Sequence, residues 1–307
     1  FKQKTAYEIS TRDWSSDVCS SDLTIVLDSS YFSGPTWEDG VSDQERTIGY
    51  QSHVTALQVD GDRENPTRET SPRSNDPVTR AGVALKKAIG SLAADANLTQ
   101  AKAGTNLLQI ASVKSQPISK WISHMLQVSD NTEAEFLARL VSKQLGYDGS
   151  FSSIDAAIKA ALTRAGLDTT GLLLKDGSGE NETNLVTATF INSLLKKINA
   201  GEGNLAIIKQ ALPISAESGS LANRFKGDNI DAAGHVLAKT GWTKHQYSLA
   251  GIVIAKDGTD LVFSVAAVGD VNATAKDAID NLVTGFYRCG NKLSAEVPTD
   301  STQPGGQ

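Results

Sequence analysis

The stretch LAKTGWTKHQYSLAGIVIAKDGTDLVFSVAAV, residues 237–268, decides the fold. Its β-rich runs predict three strands, at Leu237–Thr240, Ser248–Ala255 and Leu261–Val268. Asp257-Gly258 lies between the last two runs and is a dipeptide typical of a hairpin turn. We therefore expect an antiparallel meander here, followed by a closing helix at about 275–287.

Upstream of the meander, the periodicity of apolar residues predicts mostly helices. They are expected at about 79–94, from Pro117 to about 128, after 131, at 152–166 and at 187–199. Further strands are expected at 24–27, 54–59 and 107–113, and the charged, proline-containing residues 62–80 are expected to form a loop or linker. Helices in the middle of the chain with a terminal antiparallel sheet indicate an α+β fold.

Composition excludes several classes of protein. The 307 residues are 39% hydrophobic and 21% charged, with a formal net charge of −6 and 6% aromatic residues. An acidic chain poor in aromatic residues offers little to nucleic acid. No run of 18 apolar residues is present, so no membrane-spanning helix is expected. The composition is that of a globular enzyme or binding domain.

The first 23 residues differ in character from the rest. Lys2–Glu8 and Asp13–Leu23 resemble conceptual translations of short-read sequencing adapters, and the whole segment shows no helical or strand period. We therefore interpret residues 1–23 as foreign. They carry three basic and four acidic side chains, so the rest of the chain keeps a charge of −5. Cys19 falls in this segment, which leaves Cys289 alone and predicts neither a disulfide nor a zinc site.

Two short motifs could carry chemistry: Ser129-Asp130-Asn131 and Lys239-Thr240-Gly241. Each has a structural alternative, because Ser129 and Asn131 stand where a helix N-cap is expected and the second motif falls at a strand end. Glu133 and Glu135 follow the first motif, where the helix dipole favours carboxylates. S-D-N followed by K-T-G is, however, the order found in active-serine penicillin-interacting proteins, whose first motif is S-x-x-K.

The residues around the motifs strengthen this relation. The chain resembles the D-alanyl-D-alanine carboxypeptidase/endopeptidase family of low-molecular-mass penicillin-binding proteins, the type with inserted domains. Five blocks carry the resemblance: Asp28 to Leu57 in part, His124–Glu135, Asp176–Thr187, Leu212–Phe225 and Ala238–Gly251.

The resemblance implies an antiparallel sheet flanked by helices, as in serine β-lactamases. It also implies attack on the penultimate D-alanine of a peptidoglycan stem peptide, through an acyl-enzyme and without cofactor or metal. The catalytic residues carried over are Ser129 as proton relay, Asn131 as holder of the substrate amide, and Lys239 as proton shuttle. The substrate-binding residues are Thr240, which would hydrogen-bond the terminal carboxylate, Gly241, and Trp242, whose backbone N–H supplies half of the oxyanion hole.

Departures from the family pattern limit what this chain can do. No S-x-x-K precedes Ser129; the one match, Ser193 to Lys196, falls in a predicted helix after it and is interpreted as an ordinary helix pattern. Trp242 stands where the family usually has threonine, and Glu180-Asn181-Glu182 replaces L-S-R. We expect the 307-residue chain itself to be inactive.

The remaining expectations concern organisation and setting. Residues 24–80 are expected to be the remnant of an inserted β-rich domain with its linker, 81–290 the C-terminal part of the penicillin-binding domain, and 291–307 a disordered tail. The resemblance implies an extracellular or periplasmic protein that binds peptides ending in D-Ala-D-Ala and is inhibited by β-lactams. The acidic composition predicts that it does not bind nucleic acid. Two alternatives stay open. They are a serine β-lactamase, whose E-x-x-x-N pattern fits Glu180 to Asn184, and a non-catalytic cell-wall-binding or sensor protein.

Overall fold

The computed structural model describes residues 7–10 and 23–294. The chain forms two compact units, the first ending at Thr187 and the second beginning at Ala188. The strands are β1 (Tyr7–Ser10), β2 (Thr24–Leu27), β3 (Asn97–Gln100), β4 (Val236–Thr243), β5 (Gln246–Ile254) and β6 (Asp260–Val268). The helices are α1 (Gln44–Ile48), α2 (Pro77–Ile89), α3 (Ile118–Val128), α4 (Asn131–Gln144), α5 (Phe151–Arg164), α6 (Ala188–Ala200), α7 (Ala206–Ala211) and α8 (Ala273–Cys289).

A small mixed sheet opens the first unit. Strand β2 pairs antiparallel with β1 and parallel with β3. Ile25 and Leu27 of β2 are buried against α2 and the chain around Leu57. Helix α2 comes close to the sheet because Gly82 faces Leu27, and a Cβ at Gly82 would lie 2.6 Å from that side chain.

The second core of the first unit surrounds a buried arginine. The guanidinium of Arg139 on α4 lies 4.8 Å from the ring centroids of both Phe32 and Phe151. It donates hydrogen bonds to backbone carbonyls of surrounding loops, among them those of Gly149 and Val54. Burial lowers the pKa of Arg139 to about 10. Five donors in a rigid fork let this one side chain fix several loop carbonyls to α4.

The second unit contains the meander. Strands β4, β5 and β6 pair antiparallel in sequence order. Helix α8 packs its buried face, Ile279 and Val283, on this sheet with Phe225 and Leu249. The predicted antiparallel sheet, the hairpin at Asp257-Gly258 and the closing helix are confirmed, as is the α+β class.

Two predicted strands are wrong. Residues 54–59 and 107–113 form no strand. In the first stretch Val54 and Leu57 are buried in two different cores, so its apolar character reflects burial rather than a ladder. In the second stretch Leu108 and Ile110 are 86% and 67% exposed.

The predicted domain boundaries, at residues 24, 81 and 291, differ from the division into compact units, which falls between Thr187 and Ala188. The predicted boundaries stay predictions. Most of residues 1–23 lies outside the described residues, although Tyr7–Ser10 forms β1. The foreign origin of that segment also stays a prediction. The tail beyond Ser294 lies outside the described residues too.

Candidate active site

The S-D-N motif forms the corner between α3 and α4. Ser129 ends α3 in the left-handed conformation (φ 61°, ψ 50°), and Asn131 is the first residue of α4. Asp130 is the N-cap, and its carboxylate accepts a hydrogen bond from the backbone N–H of Glu133 at 2.8 Å. The cap predicted for Ser129 or Asn131 is therefore wrong, because the central aspartate takes that role.

Asp130 also forms a buried ion pair. Its second carboxylate oxygen accepts from the guanidinium of Arg63, and the two side chains are 3% and 11% exposed. Arg63 donates as well to the carbonyls of Asp60 and Glu69. The ion pair therefore ties the S-D-N corner to residues 60–76, a segment that we call the arginine loop.

Internal contacts hold the arginine loop in place. Asp62 is buried and accepts hydrogen bonds from the backbone N–H and hydroxyl of Ser74. Arg80 on α2 donates to the backbone carbonyls of Asp62 and Arg63. Burial, reinforced by the charge of Arg63, lowers the pKa of Arg73 to about 10. The sequence indicated a loop here, but nothing in it showed that this loop supports the motif.

Asn131 contacts the carboxylate of Glu180, which the sequence marked as a departure from the family and as the first residue of the E-x-x-x-N pattern. Its Nδ2 donates to Oε1 of Glu180 at 2.8 Å. Burial raises the pKa of Glu180, the hydrogen bond from Asn131 opposes this, and the charges of Glu45 and Asp176 raise it further. A half-buried carboxylate thus lies directly beside the third residue of the motif.

The loop that carries Glu180 is anchored to α4 by Glu135. This fully buried carboxylate accepts the backbone N–H groups of Gly177 and Ser178 at 2.8 and 2.9 Å. Burial, with the charge of Asp176 adding to it, raises the pKa of Glu135 to about 7. The interpretation of Glu135 as a residue placed by the helix dipole is therefore wrong, since it is a loop anchor.

Asp176 holds the same loop together by accepting hydrogen bonds from other residues within it. Its carboxylate accepts the backbone N–H groups of Gly179 and Asn181, at 2.8 and 2.6 Å, and the side-chain amide of Asn184 at 2.8 Å. We call residues 176–184 the D-G-S-G loop. Asn184, the last residue of the E-x-x-x-N pattern, thus donates its amide to Asp176.

The K-T-G motif lies on β4 in the second unit. The Nζ of Lys239 donates to the backbone carbonyl of Thr240 at 2.8 Å, and burial lowers the pKa of Lys239 to about 8. The hydroxyl of Thr240 donates to that of Ser220 at 3.0 Å. Ser220 lies in the short 3₁₀ helix Gly219–Leu221, within a block that carried the family resemblance. Its contact with the motif could not be predicted from the sequence.

Gly241 and Trp242 complete this strand. Gly241 pairs with Ser248 of β5, and a Cβ at Gly241 would clash with the hydroxyl of Ser248. Trp242 is 59% exposed, and its ring centroid lies 6.3 Å from that of its strand partner Tyr247. The S-D-N motif is thus described in the first unit and K-T-G in the second. The common pocket and the roles assigned to both motifs stay predictions.

The only S-x-x-K match is confirmed as an ordinary helix pattern. Ser193 and Lys196 are exposed on α6, while Leu195 between them is buried. Among the described residues, no group of three or more His, Cys, Asp or Glu side chains could hold a metal ion. No helix in the described part of the chain combines the length and apolar character needed to cross a membrane.

Comparison with solved structures defines the class of the fold. Penicillin-binding protein 4 from Haemophilus influenzae superposes with a TM-score of 0.74 at 19% identity, covering 86% of this chain and 74% of that one. The chain therefore has the fold of a penicillin-binding protein.

Sequence comparison gives the family. Carboxypeptidase DacB of Mycolicibacterium smegmatis is 34% identical over 274 residues, which are 87% of this chain and 58% of the relative. The D-alanyl-D-alanine carboxypeptidase of an Actinomadura species is 34% identical over 166 residues, 52% of this chain and 30% of the relative. The D-Ala-D-Ala carboxypeptidase 3 (S13) family matches residues 57–286, and the chain belongs to this family. The resemblance read from the motif blocks is confirmed. The chain spans less than two thirds of the length of these relatives.

Proposed function

We propose that this chain is the C-terminal part of a serine-type D-Ala-D-Ala carboxypeptidase or endopeptidase that acts on peptidoglycan stem peptides. The family match over residues 57–286 carries the proposal. Peptidoglycan lies outside the cytoplasm, so the proposed location is extracellular or periplasmic.

The proposed reaction passes through an acyl-enzyme. A serine hydroxyl, supplied by an S-x-x-K motif upstream of this sequence, attacks the carbonyl of the penultimate D-alanine. The proton that the attacking hydroxyl loses reaches the nitrogen of the terminal D-alanine through Ser129, the C–N bond breaks, and D-alanine leaves as an amine. Water then hydrolyses the acyl-enzyme. A Lys239 whose pKa is lowered to about 8 exchanges protons readily near neutral pH, which suits a proton shuttle.

The other roles follow the resemblance. Asn131 holds the substrate amide, Thr240 hydrogen-bonds the terminal carboxylate, and the backbone N–H of Trp242 stabilises the oxyanion. The exposed indole of Trp242 stands where the family usually has a threonine hydroxyl, so carboxylate recognition rests more on Thr240.

Fluorescent penicillin tests the proposal. The 307-residue chain should remain unlabelled, because no S-x-x-K precedes Ser129. The natural full-length protein should be labelled covalently, and Lys239→Ala in that protein should slow labelling about 100-fold or more. Lys256→Ala, which removes an exposed lysine from the same meander, is the matched control. A covalent adduct on the 307-residue chain would refute its proposed inactivity.

One observation favours a second candidate, a serine β-lactamase. Such enzymes need a carboxylate that activates the deacylating water, and Glu180 lies beside Asn131. Rapid nitrocefin turnover by the full-length protein, with little release of D-alanine from peptides, would favour this candidate. Absence of both activities alongside peptide binding would favour a non-catalytic sensor.

A further inference from the structure

The contact between Asn131 and Glu180 constrains the orientation of the asparagine. A side-chain amide presents a donor, Nδ2, on one side and an acceptor, Oδ1, on the other, and the two sides exchange when the group rotates by half a turn. Asn131 meets Glu180 through Nδ2, at 2.8 Å.

An ionised carboxylate can only accept hydrogen bonds. Glu180 therefore favours the orientation in which Nδ2 faces it and opposes the rotated one, which would bring two acceptors together. One Nδ2 hydrogen and Oδ1 are left for other partners. A hydrogen bond to an ionised acceptor is also stronger than one between neutral groups.

The D-G-S-G loop gives Glu180 a fixed position. The backbone N–H groups of Gly179 and Asn181, on either side of Glu180, both donate to Asp176. Earlier in the same loop, the backbone N–H groups of Gly177 and Ser178 donate hydrogen bonds to the carboxylate of Glu135 on α4. Because α4 begins at Asn131, the helix that carries the amide also anchors the loop that carries its acceptor.

We propose that Glu180 is a positioning residue that sets the amide orientation of Asn131, and that the enzyme uses this orientation to hold its substrate. The second half of the statement rests on the proposed function, whereas the first half does not.

The first half is tested on the 307-residue chain by NMR of the Asn131 side-chain amide, assigned by its loss in Asn131→Asp. Its proton and nitrogen shifts should follow the ionisation of Glu180 and become insensitive to that titration in Glu180→Gln. Glu45 from α1 and Asp176 from the loop are the other charges that act on Glu180. In Glu45→Gln the titration should persist. An amide signal that titrates identically with and without Glu180 overturns the proposal.

The second half is tested in the full-length protein with a graded series. Glutamine can donate or accept, so Glu180→Gln permits both orientations and should lower the second-order acylation rate about tenfold. Lysine can only donate and favours the rotated amide, so Glu180→Lys should lower it about 100-fold. Glu182→Gln is the matched control, because Glu182 is an exposed carboxylate two residues away.

The results of these experiments distinguish the positioning role of Glu180 from the proposed function. A normal acylation rate in both Glu180 variants of an active protein overturns the proposal while leaving the proposed function standing. Normal acylation with trapped acyl-enzyme in Glu180→Gln also overturns it, and assigns Glu180 to deacylation instead. An unreactive wild-type protein refutes the proposed function, and the NMR experiment then decides the orientation alone.

Discussion

Lys239 shows at the residue scale how burial tunes a functional group. Its pKa falls from an ordinary 10.5 to about 8 because burial penalises the ammonium. The folded chain therefore releases this proton at lower pH than the unfolded chain does. Below about pH 8 the buried ammonium lowers the free energy of unfolding by its full amount. This destabilisation disappears as the pH rises toward 10.5.

We predict that Lys239→Met stabilises the chain at pH 7 by about 1–3 kcal/mol, because it removes a buried charge at similar volume. The difference in unfolding free energy between the two proteins should shrink between pH 8 and pH 10.5. Urea denaturation across that range measures it. Lys244→Met, at an exposed position, should change stability little. A destabilised Lys239→Met at pH 7 contradicts the prediction.

Arg63 gives a second prediction, concerning a buried ion pair. Removing one partner strands the other charge, so Arg63→Ala should cost about 3–5 kcal/mol. The pair of Arg288 and Asp231 is the control, because its side chains are 52% and 43% exposed. Arg288→Ala should cost far less than Arg63→Ala, because solvent screens this exposed pair.

Chemical denaturation measures both variants. Equal losses in Arg63→Ala and Arg288→Ala would show that the arginine loop does not depend on its contact with Asp130.

At the scale of elements, the close approach of the D-G-S-G loop to α4 depends on a glycine. A Cβ at Gly177 would lie 2.6 Å from the carbonyl oxygen of Ala134 and from the Cβ of Ala138. We predict that Gly177→Ala costs about 1–3 kcal/mol, because either the loop or the helix must shift.

Gly285→Ala on α8 is expected to increase stability, because a new Cβ there meets nothing within 4 Å. Alanine is the better helix former by about 1 kcal/mol, so this variant should be more stable. Thermal unfolding of the two variants side by side measures the contrast. Destabilisation by both substitutions would mean that loss of glycine, and not the loop contact, sets the effect.

The same elements show what the sequence could predict. The meander and the long helices α5, α6 and α8 follow from periodicity, since their apolar faces match the period of the element. Helix α4 is different, because its buried side includes Glu135, Arg139 and Ser142. These polar residues are buried because distant loops supply hydrogen-bond partners, and no local pattern records such partners.

The candidate site, too, could be predicted only in part from the sequence. Both motifs and the family could be recognised from residue order. The partners of the motif residues, Arg63, Glu180 and Ser220, come from positions at least 20 residues away along the chain. One-dimensional spacing cannot reveal contacts that only folding creates.

At the scale of the whole molecule, each of the two compact units has its own cores. Phe32, Val54 and Ile154 belong to one in the first unit, and Leu249 and Val283 to one in the second. The S13 match extends across both units, from residue 57 to residue 286. Family membership is therefore a property of the chain as a whole rather than of either unit.

The surface exposes one apolar run that has consequences for behaviour in solution. Residues 107–113 read LLQIASV, a β-prone segment with no charge and no proline, and no strand forms there. Such segments associate between molecules by forming intermolecular β-structure. Concentrated samples of this chain should therefore aggregate through residues 107–113 while the fold remains intact.

We predict that Ile110→Glu slows this aggregation severalfold without altering the thermal midpoint, as followed by static light scattering. Leu92→Glu is the control, because it adds the same charge at an isolated apolar residue that is 78% exposed. If the two variants slow aggregation equally, overall charge governs colloidal stability and the segment has no special part in it.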